Sequence, residues 1–236
     1  MPAASYSASR FLDRPIIATR DFPALGSNIN GPSLVRVPDW VPGRLGRYYL
    51  YFAHHKGEYI RLAYAEKVEG PWRVHGPGTL RLYDSTCHDH IASPDVLVDH
   101  ESRKIRMYFH GPSIGKDEAR TDPLNAKMPG VGTQRTKVAL SDDGIAFRAK
   151  PEILGPPYFR VFRYDGWWYA LAMPGVFLRS RDGLTKWEFG PRLFNDRMRH
   201  AAVRVDGDVV EVFYTRAGDR PERIFLATVA LNRKWE

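Results

Sequence analysis

Along the chain, short aromatic strand-like runs and glycine turns recur in the same order, and this loose repeat constrains the fold more than any other feature. A first copy, from about residue 30 to 75, holds RYYLYFA (Arg47 to Ala53) and YIRLAYA (Tyr59 to Ala65) and ends in Glu69-Gly70-Pro71-Trp72. A second, about 90 to 150, holds KIRMYFH (Lys104 to His110) and RTKVAL (Arg135 to Leu140) before Ser141-Asp142-Asp143-Gly144. The third, about 155 to 191, sets Asp165-Gly166 before WWYALA and Ser180-Arg181-Asp182-Gly183 before Trp187. The fourth starts near Arg199 and carries Asp206-Gly207, VVEVFY and RIFLATV. Tyr, Val, Ile, Phe and Trp in runs of this length favour strands, so each copy predicts one four-stranded antiparallel sheet.

A single sheet of this size cannot bury both faces, and sheets repeating at a few tens of residues stack; radial stacking gives a β-propeller. A β-sandwich is the rival, but Greek-key connections would not return the Asp-Gly signal to the same place in each unit. Helical stripes have no room, because 18 Pro and 20 Gly interrupt every stretch. The expected organisation is one all-β propeller domain over residues 1–236, with Gly111 to Thr133 inserted in the second unit as a lid or wall.

The net charge of +8 comes from Arg scattered between apolar residues, not from a basic block. That excludes a nucleic-acid arm and favours acidic small partners or anionic sugars. Cys87 is the single cysteine, so no internal disulfide forms. No run of about 18 apolar residues suggests a membrane span, and the first residues lack a signal-peptide core, so the expectation is a soluble, cytoplasmic chain.

The pieces NGPSLV, SPDVLVD, DGWWYALA with SRDGLTKWEF, and RHAAVRVDGDVVEVFY resemble the five-bladed propeller glycosidases, the superfamily that includes glycoside hydrolase families 43, 32 and 130. The likeness runs from about Asn30 to Leu231 and is nearest a bacterial family 43-like subgroup whose chains continue into a further blade. Either this chain falls about one blade short, or a strand over Pro15 to Thr19 completes the last sheet and the ring closes with four. The resemblance implies a carbohydrate-active enzyme acting on an oligosaccharide or glycoside in the central channel. The alternatives are a non-catalytic glycan-binding propeller and a uronate-directed lyase.

In a propeller the innermost strand of each blade lines the channel, and the loops before it and after the second strand open on one face. That places Asn30 and Ser33, His90, Ser93 and Asp95, Tyr158 and Arg160, and Arg199 and His200 around one pocket, joined from the loops by His54, His55, Lys56, Glu58, His110, Arg216 and Asp219. Glycoside hydrolysis normally takes two carboxyl groups. Family 43 enzymes carry an Asp, an Asp and a Glu at the first three blade entries, where this chain reads Asn30-Gly31-Pro32, Ser93-Pro94-Asp95 and Pro157-Tyr158-Phe159. An amide is no general base, so the best acid-base pair is His90 with Asp95. Substrate binding falls to Asn30, His54, His55, Ser93, Tyr158, Arg160, Arg199 and His200, the Arg side chains suiting a carboxylated sugar. No cofactor is expected: outside His88-Asp89-His90 no close His spacing suggests a catalytic metal. A structural cation near His200 is what the resemblance implies.

Overall fold

The computed structural model describes residues 6–128 and 130–231. It is a radial arrangement of four antiparallel blades, a β-propeller, with few helical residues. Blade 1 comprises β1 (Asn30–Arg36), β2 (Tyr48–Ala53), β3 (Tyr59–Ala65) and β4 (Arg73–Arg81). Blade 2 comprises β5 (Ala92–Asp99), β6 (Lys104–Pro112), β7 (Gln134–Ser141) and the two-residue β8 (Arg148–Ala149). Blade 3 holds β9 (Arg160–Tyr164), β10 (Trp167–Ala172), β11 (Val176–Ser180) and β12 (Glu188–Arg192). Blade 4 holds β13 (Met198–Asp206), β14 (Val209–Arg216) and β15 (Phe225–Ala230). Strands neighbour one another in sequence order within every blade.

The aromatic runs are the second strands, and they read as unbroken apolar stretches because both faces are covered. In β2, Tyr49 and Tyr51 pack towards blade 2 with Ile105, Met107 and Phe147, while Leu50 and Phe52 face the other way, under Ile17, Leu25 and Trp72. Each large side chain so buried contributes about 2–3 kcal/mol. The Ser-x-Asp-Gly turns of blades 2 and 3 do a matching job. Asp143 accepts from the backbone N–H of Ile145 (2.7 Å) and Ala146 (2.9 Å), and Asp182 from those of Leu184 and Thr185 (both 2.8 Å). Each turn offers its glycine carbonyl to a tyrosine of the preceding blade: Tyr51 donates to Gly144 (2.8 Å) and Tyr108 to Gly183 (2.9 Å). A Cβ at Gly144 would lie 2.8 Å from the Tyr51 hydroxyl, so the turn needs glycine for both its positive φ of 73° and its close approach.

A second relay joins the innermost strands. Each enters its blade through a residue with left-handed backbone: Gly31 (φ 60°), Ser93 (49°), Tyr158 (65°) and His200 (40°). In blades 1, 2 and 4 this residue sits in a break of the β-register, as a bulge requires. Two residues on, a side chain reaches the next blade. Ser33 Oγ accepts from Val96 N (2.9 Å), Asp95 Oδ2 accepts from Val161 N (2.7 Å), and Arg160 Nε donates to the Ala201 carbonyl (2.6 Å). The corresponding residue of blade 4 is Ala202, which has nothing to extend.

Two expectations are corrected here. Blade 4 has three strands among the described residues, not four. Residues 15–19 form no strand and do not complete it; three prolines within residues 2–23 and the polar stretch around them favour turns instead. β1 packs on β5, β5 on β9 and β9 on β13, whereas the N-terminal segment lies at the seam between blades 4 and 1. Tyr6 meets Phe213 edge-on (5.9 Å between centroids) and donates to the Glu211 carboxylate on blade 4, and Ile17 and Leu25 pack on blade 1. Among the described residues no helix is long and apolar enough to cross a membrane.

Candidate functional site

The blade entries, the β2–β3 and β6–β7 connections and the β14–β15 loop share one end of the propeller. There a cleft of about 300 Å3 opens between blades 3 and 4. Pro157 and Tyr158 line it from the blade 3 entry, Met198 and Arg199 from the blade 4 entry, and Gln134 with Val131 from the end of the insertion. The insertion itself folds as two short helices, α1 (Lys116–Thr121) and α2 (Pro123–Lys127), pinned by Asn125 donating to the Gly132 carbonyl (3.0 Å) and by Arg135 against Asp122 (3.1 Å). It therefore stands as one wall of this cleft.

Tyr158 is the centre of a stack. Its left-handed backbone turns the ring between His110 (4.1 Å between centroids) and His200 (5.3 Å, edge to face). His110, at the end of β6, is 2% exposed. Burial, with Arg160, His90 and His200 nearby, lowers its pKa to about 3, so its imidazole is neutral. Its Nδ1 has no hydrogen-bond partner, and neither does the buried Oε1 of Gln134. His200 is also pushed down, by burial first and then by Arg199 and Arg160. Arg199 Nε donates to its Nε2 (3.0 Å), which fixes an exposed guanidinium in the cleft that Tyr158 also lines. Two carboxylates at this mouth are already engaged, Asp196 with Arg192 and Asp219 with Arg197, while Glu222 lies within electrostatic reach of His200. With an arginine on its Nε2 and a second one close by, His200 does not suit the structural cation that the resemblance implies. No group of three His, Cys, Asp or Glu among the described residues is placed to hold a metal ion.

The expected pair of His90 and Asp95 is not joined. The His90 ring lies beside His110 but donates from Nδ1 to the Asp89 carboxylate (2.9 Å), and Asp89 can turn back to its neighbour because its own backbone is left-handed (φ 72°). Asp95 belongs to the blade relay, with Arg160 Nη1 at 3.9 Å from its other oxygen; burial raises its pKa. Arg160 is tied to the Ala201 and Phe159 carbonyls and is 8% exposed. Ser93 is buried, with its Cα 3.0 Å from where a Cβ on Gly31 would be. Asn30 lies elsewhere, on the apolar groove of the seam with Ile16, Pro32 and Leu34. His54 points Nδ1 at the His55 carbonyl (2.6 Å), and the exposed His55 is held through its N–H by Asn28 (2.9 Å). Arg216 lies over the Phe225 ring (4.3 Å). The structure thus brings Tyr158, Arg199 and His200 together, over His110.

Asp89 and Gln134 are the residues that sequence reasoning left out. Gly111 explains the seat of His110: a Cβ there would lie 2.3 Å from the His90 carbonyl oxygen, so β6 approaches the blade 2 entry closely only with glycine.

No protein-family model matches the chain. It is 32% identical over 241 residues to the uncharacterised protein R118 of Acanthamoeba polyphaga mimivirus, an alignment covering 88% of this chain and 64% of R118. This chain thus spans a little under two thirds of that relative's length. Solved structures share the fold. A β-xylosidase/α-arabinofuranosidase of glycoside hydrolase family 43 from a compost metagenome, in complex with xylotriose, superposes with a TM-score of 0.64 at 17% identity, over 92% of this chain and 75% of that one. A family 43 enzyme of Xanthomonas citri complexed with xylose gives 0.65 at 16%, over 94% and 74%. The fold is that of the family 43 propellers, with four blades in the described residues.

Proposed function

We propose that the protein is a carbohydrate-active propeller whose cleft between blades 3 and 4 takes a carboxylated oligosaccharide. The observation that carries this is the exposed guanidinium of Arg199, held by His200 in the cleft that Tyr158 also lines. A planar fork of donors matches a sugar carboxylate. His200, whose pKa burial lowers, can hydrogen-bond a hydroxyl beside Arg199, and the +8 balance of the chain draws anions towards the mouth. Enzymes of the same fold hold neutral sugars such as xylotriose, which supports an oligosaccharide as the ligand class.

Titration calorimetry with xylotriose, with the same trisaccharide bearing a glucuronate branch, and with trigalacturonate tests the reading. The two acidic sugars are expected to bind, to weaken with added salt, and to lose about tenfold in affinity in Arg199→Ala. Equal binding of neutral and acidic sugars, or none by either, would refute it.

Turnover is a second reading, and the Asp89–His90 dyad favours it. A carboxylate on Nδ1–H orients an imidazole and leaves Nε2 free to take a proton, as in other His-based active sites. Hydrolysis by two carboxyl groups has weak support, since Asp95 is spent on the Val161 amide. Elimination at a uronate takes the C5 proton beside the carboxyl, forms the C4–C5 double bond as the C4–O bond breaks, and hands a proton to the leaving sugar oxygen from water. His90 is the candidate base, on a sugar whose carboxylate Arg199 holds, provided the sugar reaches from one to the other. The expected product from trigalacturonate is an unsaturated uronate, seen by its ultraviolet absorbance and lost in His90→Ala. Binding without that absorbance or new reducing ends defeats the catalytic reading and leaves a glycan-binding propeller.

A further inference from the structure

On the same face, over blades 1 and 2, a second cleft of about 400 Å3 is lined by Glu58, Arg81, Leu82, Tyr83, Cys87 and His88. Tyr83 is 84% exposed there, against none at all for Tyr49 and Tyr51 in the blade core. Its backbone is nonetheless firmly held. Tyr83 is the middle residue of the 3-10 turn Leu82–Asp84, whose Leu82 packs into the core between blades 1 and 2. Leu82 N donates to the Glu58 carbonyl (2.7 Å), Ser85 N and Oγ both donate to the Leu82 carbonyl (3.0 and 2.6 Å), and Cys87 N donates to Ser85 Oγ (3.1 Å). Arg81 beside it lies over the Tyr59 ring (4.9 Å), which limits where its guanidinium can go. An aromatic ring standing in water on a fixed turn, rimmed by a carboxylate, a guanidinium and an imidazole, fits the apolar face of a pyranose ring with hydroxyls at its edge.

We propose that this cleft is a distal subsite for an uncharged sugar residue, with Tyr83 as the stacking platform and Glu58, Arg81 and His88 bonding hydroxyls. Glu58 and Arg81 present both signs of charge at the rim, so the edge suits hydroxyls, with the Glu58 carboxylate accepting from a vicinal pair, rather than a second charged group. The proposal rests on the oligosaccharide reading of the first cleft. The segment lining the outer cleft runs on towards the first: Cys87 and His88 line the outer one, and Ala92, a few residues on, pairs across β5 and β6 with His110, on which Tyr158 stacks. The β2–β3 hairpin bearing Glu58 is braced against this segment by Ile91 N donating to the Gly57 carbonyl (3.0 Å).

The test compares glucuronic acid, xylotriose and the glucuronate-bearing xylotriose on the full chain, in native protein, Tyr83→Ala and Tyr83→Phe. The branched acid is expected to bind the native protein at least about tenfold more tightly than glucuronic acid alone. Tyr83→Ala should remove that advantage, leave glucuronic acid binding and the melting temperature unchanged, and Tyr83→Phe should keep it. An advantage that survives Tyr83→Ala overturns the subsite while leaving the first cleft's reading intact. Xylotriose binding that depends on Tyr83, without any gain from the glucuronate, upholds the subsite and overturns the acidic reading. If the native protein binds none of the three, both fall.

Discussion

Acidification should destabilise this protein through His110, and the size of the effect follows from its seat. The ring is 2% exposed, pressed on Tyr158 and close to Arg160, and its pKa is held at about 3. In the unfolded chain the same imidazole titrates near 6.5, so between about pH 6.5 and 3 the unfolded state binds one proton more than the folded state. Stability then falls as pH falls, by somewhat over about 1 kcal/mol per unit once the unfolded imidazole is mostly protonated, or about 2 kcal/mol on going from pH 6.5 to 4.5. Asp95 acts in the opposite sense over a lower window, because its raised pKa lets the folded state take up its proton first. A difference between native protein and His110→Gln cancels that contribution. Urea unfolding followed by tryptophan fluorescence at about pH 7, 5.5 and 4.5 should show the native protein losing roughly one proton's worth of slope more than the variant. Equal slopes, or a His110 ring that titrates near pH 6 by NMR, would refute the argument.

Asp95→Ala leaves the Val161 N–H without an acceptor and Arg160 without its nearby carboxylate, and should cost about 2–4 kcal/mol in urea unfolding, against about 1 for Asp95→Asn, which keeps an acceptor. Equal costs would show that the relay contributes little. Ser33→Ala, which removes the first link to Val96, should cost about 1 kcal/mol by the same measurement. Gly111→Ala sets a methyl group against the His90 carbonyl; about 2–3 kcal/mol of overpacking is expected, together with a His110 pKa that moves up towards 6.5 as the seat loosens.

The repeat was legible because its signals are local. An aromatic strand buried on both faces must read as a continuous apolar run, and a Ser-x-Asp-Gly turn must carry its own acceptor and glycine, as Asp143 and Gly144 do. Sites are read less well, since a side chain's task depends on what the next blade presents. Asp95 stood out as the carboxylate of the channel entries, yet what it meets is the amide of Val161, 66 residues away. Asn30 occupies an entry position like those of the site residues, but blade 1 has its other face on the seam, so it lines an apolar groove. The importance of Asp89 comes from a positive φ that nothing in the residue pattern around it announces.

The relay from Ser33 to Ala201 runs in one direction and has three links. At Ala202 it stops, and what faces the gap instead is Tyr6, laid on Phe213 and tied to Glu211. Prising the first three blades from their successors must break a hydrogen bond to the next blade's backbone near the axis, while among the described residues the fourth blade is held on its far side by Tyr6. Under load or mild denaturant, amides of β13 and β14 should therefore exchange with solvent sooner than those of β5 and β6, and Tyr6→Ala should hasten the fourth blade alone.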